Sequence, residues 1–276
     1  MTTTGRDDAT YIMGETDAER ERLTRQAEMY DGYMRHLLED AGLSAGMRVL
    51  DVGCGVGDVS FVAAELVGPA GAVVGIDRDP ATVAKARGRA AERELDNVTF
   101  VEGDFRRAEI AAPFDAAIGR FVLMYQGDPS AVIRAASDRV RPGGIVAFQE
   151  ADWTALTMYP AVDLWRQTRD WWYQTAQRAG LELHMGVKLP GAFRRTGLPV
   201  DRVHFDTLIG GGPDFVGYAY ITDVMRSILP MMEQFGVATA AEVDIDTLTE
   251  RLRDAVVAKD AMVGLQGLGG AWARKP

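Results

Sequence analysis

In the run Val49-Leu50-Asp51-Val52-Gly53-Cys54-Gly55-Val56-Gly57-Asp58, an apolar strand pattern ends in an acid and gives way to glycine at every second residue. Glycine lets a backbone lie close to a ligand with a permissive φ, and a helix beginning near Asp58 points its N–H groups at whatever sits there. A tight strand-to-helix turn with no ligand is the plain alternative. Asp77, in Val73-Val74-Gly75-Ile76-Asp77-Arg78, comes 20 residues after Gly57, the place for an acid that accepts from both hydroxyls of a ribose. Gly103-Asp104-Phe105 offers an acid able to accept from an exocyclic amine, beside a ring able to stack. Gly119-Arg120-Phe121-Val122-Leu123-Met124, and then Glu150, Asp152 and Trp153, continue the series. Any one of these acids reads alone as a helix cap or a turn residue; four such signals at four successive strand ends do not.

The elements that must position them alternate. The pattern predicts strands near 48–52, 72–76, 98–101, 114–118 and 144–150, with helices near 58–67, 80–94, 106–109 and 129–140. Arg141-Pro142-Gly143-Gly144 reads as the turn before the fifth strand. Such alternation implies right-handed crossovers, a parallel sheet with helices on both faces, and a ligand outside the carboxyl ends of the strands. Ahead of it, Leu23, Ala27, Tyr30, Met34, Leu37 and Leu38 make one stripe of a helix from about Thr16 to Ala41. Thr16 and Glu19 suit a capping box there, and Gly42 a stop. After residue 155 the pattern predicts a tryptophan-rich helix ending at Gly180, a short helix over 188–197, and a strand over 202–209. Helices over 214–235 and 241–258 and a closing strand over 261–272 follow.

The composition is that of an ordinary globular chain with a sizeable core: 276 residues, 47% hydrophobic and 25% charged. A formal net charge of -10 repels a phosphate backbone on average, which argues against nucleic acid as a partner. The basic runs Lys85-Ala86-Arg87-Gly88-Arg89 and Arg194-Arg195 read as solvated helix faces. Cys54 is the only cysteine, so no intrachain disulfide or cysteine-rich zinc site can form, and no metal is expected. The N-terminal residues lack the apolar core of a signal peptide, and no apolar run approaches the roughly 18 residues of a membrane span. A cytoplasmic location is expected.

On Asp51-Val52-Gly53-Cys54-Gly55-Val56-Gly57, Asp77, Gly103-Asp104-Phe105, Phe114-Asp115-Ala116 and Arg141-Pro142-Gly143-Gly144, residues 46–155 resemble the class I S-adenosylmethionine-dependent methyltransferases. The resemblance implies an α/β fold: a doubly wound, Rossmann-like, seven-stranded and mostly parallel sheet with an added helical cover. It divides one continuous domain into an N-terminal helical cap (1–45), a cofactor-binding core (46–155), and a cover carrying the last two strands (156–276). It implies that Gly53, Gly55 and Gly57 hold the methionine end of S-adenosylmethionine with Asp51 near its ammonium group. Asp77 would hold the ribose, Arg78 would flank the adenine, Asp104 would meet its amine, and Phe105 would lie against its ring. Gly119 and Arg120 would lie near the methionine moiety; Arg120 could instead anchor a substrate carboxylate or pair with an acid.

The partner implied is a small, apolar or aromatic methyl acceptor, with oxygen favoured over nitrogen or carbon as the nucleophile. Its pocket is expected to include Tyr11, Tyr125, Trp153 and Trp172, although aromatic and methionine residues of a cover, Met225, Met231 and Met232 among them, are as a rule core. If the acceptor arrives protonated, a base is needed, and Glu150 and His184 are preferred over Asp152, His36 and the tyrosines; His204 reads as a structural strand residue. Two other readings remain at this point. One is a nicotinamide oxidoreductase on the same scaffold, although such enzymes usually carry G-x-G-x-x-G with no acid ahead of it. The other is a non-catalytic nucleotide-binding module.

Overall fold

The computed structural model describes residues 17–153, 157–200 and 202–276. Helix α1 (Asp17–Ala41) stops where Gly42 turns left-handed at φ 90. Tyr30, Met34, Leu37 and Leu38 of its expected stripe are fully buried. Thr16 and the side chains of Glu19, Leu23 and Ala27 lie outside what is described, so the capping box cannot be followed. Next come β1 (Arg48–Val52), α2 (Asp58–Val67), β2 (Ala72–Asp77), α3 (Pro80–Glu92), β3 (Val98–Glu102), β4 (Phe114–Arg120), α4 (Pro129–Asp138) and β5 (Val140–Asp152). Asp79 and Asp128 start α3 and α4 by accepting from first-turn backbone N–H groups, each with proline at the next position.

The later elements are β6 (Met158–Tyr159), α5 (Asp163–Arg178), α6 (Met185–Arg194), β7 (Arg202–Asp206), β8 (Ile209–Gly210), α7 (Gly217–Gln234), α8 (Ala240–Val243), α9 (Leu248–Val257), β9 (Met262–Gly264) and β10 (Gly267–Arg274). The main sheet has seven strands in the order β3-β2-β1-β4-β5-β10-β7. Its first five are parallel, and β10 lies antiparallel between β5 and β7. Strand order reverses between β1 and β4, so the crevice for a ligand opens at their carboxyl ends. Helices α1 and α2 pack on one side, α4 and α6 on the other, while α5, α7 and α9 bundle together and reach α1 through α7.

Four expectations change. Residues 106–109 form no helix: Arg107 N and Ala108 N donate to the Asp104 carbonyl in a single turn, and Arg139 draws the carbonyls of Phe105 and Ala108 inward. Arg141-Pro142-Gly143-Gly144 is no free turn but the bulged start of β5, because Gly143 N donates to Lys275 O and Lys275 N to Gly144 O. The strands foreseen at 202–209 and 261–272 each break in two. The second part of the former, β8, and the first part of the latter, β9, join β6 in a separate three-stranded sheet. Arg89 is not on a solvated face: it is buried, donating at 2.7 Å to Val56 O and pairing at 2.7 Å with Asp58.

Candidate functional site

The glycine loop is fastened to the end of β2, since Gly53 N and Cys54 N both donate to Ile76 O at 2.9 and 3.0 Å. Gly57 begins α2 at φ 93, where a Cβ would lie 2.8 Å from Phe100 and 2.9 Å from Phe61. Gly55 differs: among the described residues a Cβ there would meet nothing within 4 Å, so one side of the loop backbone is uncovered by them. Gly57, the residue that starts α2, supplies no side-chain cap, which leaves the first N–H groups of the helix to an acceptor such as a carboxylate.

Asp51 stands beneath the loop with 1% of its surface exposed. Ser60 Oγ donates to its Oδ2 at 2.6 Å, and Oδ1 has no partner among the described residues. Burial pushes the Asp51 carboxyl up to about 7, against the opposing pull of Ser60 and Arg120. An unpartnered buried carboxylate oxygen is a cost that a cationic group would relieve. At the end of β2, Asp77 accepts from Gly55 N at 3.0 Å through Oδ2 and from Asp79 N at 3.1 Å through Oδ1. A carboxylate has about four lone-pair sites, so each oxygen retains one for a hydroxyl.

The expected adenine contacts are rearranged. Arg78 donates to Asp104 Oδ2 at 2.9 Å, and Arg106 donates to both Asp104 oxygens, which holds this carboxyl well below the usual range. An adenine amine reaches Asp104 only by displacing one of these arginines. Phe105 is buried in the core rather than standing open beside Asp104.

At the end of β4, a Cβ on Gly119 would fall 2.7 Å from Phe148 and 3.1 Å from Val52 O, so only glycine fits between β1 and β5. Of the roles open to Arg120, the fold shows pairing with an acid. Its Nη1 donates at 3.1 Å to Asp31 of α1, and its side chain is 6% exposed. Burial raises the Asp31 carboxyl, and Arg120 opposes that rise.

Glu150 is fully buried, and its oxygens accept from Val122 N at 2.9 Å, Leu123 N at 2.8 Å and Met124 N at 3.2 Å. This clamp on the turn after β4 takes three of the carboxylate's about four acceptor sites and leaves one on Oε2. Burial nonetheless pushes Glu150 up to about 7, while the three N–H groups pull the other way. His184 opens α6 and shares a 3.3 Å hydrogen bond through Nε2 with the Tyr173 hydroxyl; its Nδ1 has no partner among the described residues. Trp153 and Trp172 lie against each other at 4.7 Å between ring centres. Tyr125 is half-buried in a 3₁₀ turn over Leu123–Tyr125, and Tyr11 lies outside the described residues.

Other residues converge here that no local motif marks. Tyr30 of α1 stands edge-on to Phe121, just past β4, at 6.2 Å and to Tyr220 of α7 at 5.8 Å. Gln266 Nε2 donates to the Tyr220 hydroxyl at 2.8 Å. Gln149, paired in register with Arg120, is buried with neither amide atom partnered among the described residues. Of these, Tyr30 carried a signal in the apolar stripe of α1 and Phe121 in the run that follows β4.

Residues 43–184, just over half of the chain, match the family described as a methyltransferase domain. The chain is 34% identical over 122 residues to the aklanonic acid methyltransferase DauC of Streptomyces sp. (strain C5), covering 44% of this chain and 56% of that protein. It is 38% identical over 120 residues to the nocamycin O-methyltransferase of Saccharothrix syringae, covering 42% of each. It thus spans about half the length of the curated relatives it matches. Its fold is similar to that of geranyl diphosphate methyltransferase in complex with SAM, with a TM-score of 0.55 and 15% identity over 98% of this chain and 97% of that one, a likeness of fold alone. The family match takes in the loop from Gly53 to Gly57, Asp77, and the ends of β4 and β5. On that ground the chain belongs to the methyltransferase-domain family.

Proposed function

We propose that this protein methylates an oxygen atom of a small, mostly apolar or aromatic molecule, using S-adenosylmethionine. The observation that carries the donor is the pairing of an open loop backbone at Gly55 with the unpartnered Oδ1 of buried Asp51 and the strand-end Asp77. Together they fit an ammonium-bearing end and a ribose. Bound there, S-adenosylmethionine supplies a methyl group on a sulfonium centre, open to in-line attack by the acceptor's lone pair.

The acceptor side rests on the cover. Tyr30, Phe121 and Tyr220 meet past the end of β4, and Trp153, Trp165, Trp172, Ile221, Val224 and Met225, together with Thr168 and Arg169, line a cleft of about 10 Å³ among the described residues, room for one water, so an acceptor enters only if the cover opens. Opened around an apolar acceptor, a mostly aromatic and aliphatic cover would exclude water and align it, and alignment alone contributes up to roughly 7–11 kcal/mol to methyl transfer. To the Tyr220 hydroxyl and the buried amide of Gln149, unpartnered among the described residues, we assign the holding of a polar group of the acceptor. If the acceptor arrives as a hydroxyl, its proton goes to a base; His184 with Tyr173 is the better of the two expected candidates, because Glu150 is fully buried and already holds three backbone N–H groups. The name of the nocamycin relative supports oxygen as the methylated atom.

Calorimetry tests the donor reading. Both S-adenosylmethionine and S-adenosylhomocysteine bind, NAD does not, and affinity rises about tenfold per pH unit up to about 7 before levelling. The sign follows from Asp51: the free protein keeps its proton up to about 7, and only the ionised form meets an ammonium group. Asp51→Asn flattens the profile. Binding of NAD in preference to both sulfur compounds contradicts the reading.

A further inference from the structure

His36, Asp40 and His204 come together from distant parts of the chain, although the sequence gives no reason to expect a metal. His36 and Asp40 are one turn apart on α1 and share a face. His204 projects from the sheet's edge strand β7. The imidazoles of His36 and His204 stack at 4.9 Å, His204 Nε2 lies 3.1 Å from Asp40 Oδ2, and one ligand atom from each of the three residues falls within 4.8 Å of the others. Trp272 meets the His204 ring edge-on at 5.1 Å, so that ring is held in place by packing, whereas His36 and Asp40 face solvent.

We propose that His36, Asp40 and His204 form a binding site for a divalent cation of the zinc class, with water completing its coordination. Two neutral imidazoles and a carboxylate are a nitrogen and oxygen set suited to that ion, and three protein ligands plus water is a coordination it accepts. One competitor is present: Arg202 donates to the same Asp40 oxygen at 3.1 Å. Its side chain is 67% exposed, and an ion pair so open to solvent is worth at most about 1 kcal/mol, so Arg202 swings away at little cost. The site joins α1 to the sheet edge. Because α1 also carries Tyr30 and Asp31 to the cleft, an ion bound here clamps the helix that covers Arg120.

Calorimetric titration of the full chain with Zn²⁺ at pH 7.5 is expected to show one saturable ion per chain. His36→Ala, His204→Ala and Asp40→Asn each weaken it at least tenfold, Arg202→Ala tightens it, and His184→Ala, which removes the remaining histidine, leaves it unchanged. Zn²⁺ raises the melting temperature of the wild type but not of His36→Ala, whose exposed side chain makes loss of folding no explanation. Absence of a saturable site, or equal affinity in wild type and His36→Ala, overturns the proposal.

Discussion

Asp77→Ala is expected to weaken S-adenosylhomocysteine binding about a hundredfold, roughly 3 kcal/mol, while the protein stays folded. Two hydrogen bonds from ribose hydroxyls to a carboxylate would be lost, each worth about 1.5–3 kcal/mol when one partner is charged. The loop would also loosen, because Asp77 holds Gly55 N at 3.0 Å. The fold survives because Asp77 sits half-exposed at a strand end and fills no part of the core. Asp77→Asn, which keeps an acceptor oxygen, should fall between the two. Calorimetry measures the affinities and thermal denaturation checks the fold; unchanged affinity in Asp77→Ala would move the ribose contact elsewhere.

The second large effect is on stability. Glu150→Ala leaves Val122 N, Leu123 N and Met124 N without their acceptor, at about 1–3 kcal/mol for each buried donor, so a loss of about 3 kcal/mol or more in urea denaturation is expected. Glu150→Gln keeps one neutral acceptor oxygen and recovers part of that loss. It also tests the titration. Burial holds the folded-state carboxyl at about 7 against an ordinary 4.5, so the folded state binds this proton more tightly than the unfolded chain does. That contribution, about 3 kcal/mol, is fully present below pH 4.5 and is lost as pH rises through 7. Glu150→Gln should therefore show a flatter stability profile over pH 5–8, with the slope due to Asp51 remaining. Wild-type stability in Glu150→Ala would show that the clamp is not needed.

What could be read from the sequence is what is coded locally. The alternating glycines and the acids at strand ends each involve neighbours within a few residues, and the alternation of the first five strands with helices is coded in the same local way. What could not be read is supplied from far along the chain. Arg120 finds Asp31, 89 positions away, and Glu150 finds backbone groups 26–28 residues earlier. An acid at a strand end looks the same whether it faces a ligand or three N–H groups. The bulged start of β5 is paired by Lys275 near the chain's end, and the split of the late strands at Leu208 and Leu265 depends on a second sheet with no sequence signature. Asp104 shows the same limit in part: Arg78 reaches it from 26 residues away, whereas Arg106 stands two residues on. The glycine loop therefore identifies the donor better than any residue identifies the acceptor.

The most direct test follows methyl transfer itself. The full chain is incubated with S-adenosylmethionine carrying a labelled methyl group and a mixed panel of apolar aromatic hydroxy compounds and small hydrophilic amines, and products are read by mass spectrometry. The account predicts label on the oxygen of aromatic hydroxy compounds, with one S-adenosylhomocysteine released per methyl, and loss of turnover in Tyr220→Ala. Label found only on hydrophilic amines, or no transfer to any member while S-adenosylmethionine binds tightly, would contradict it.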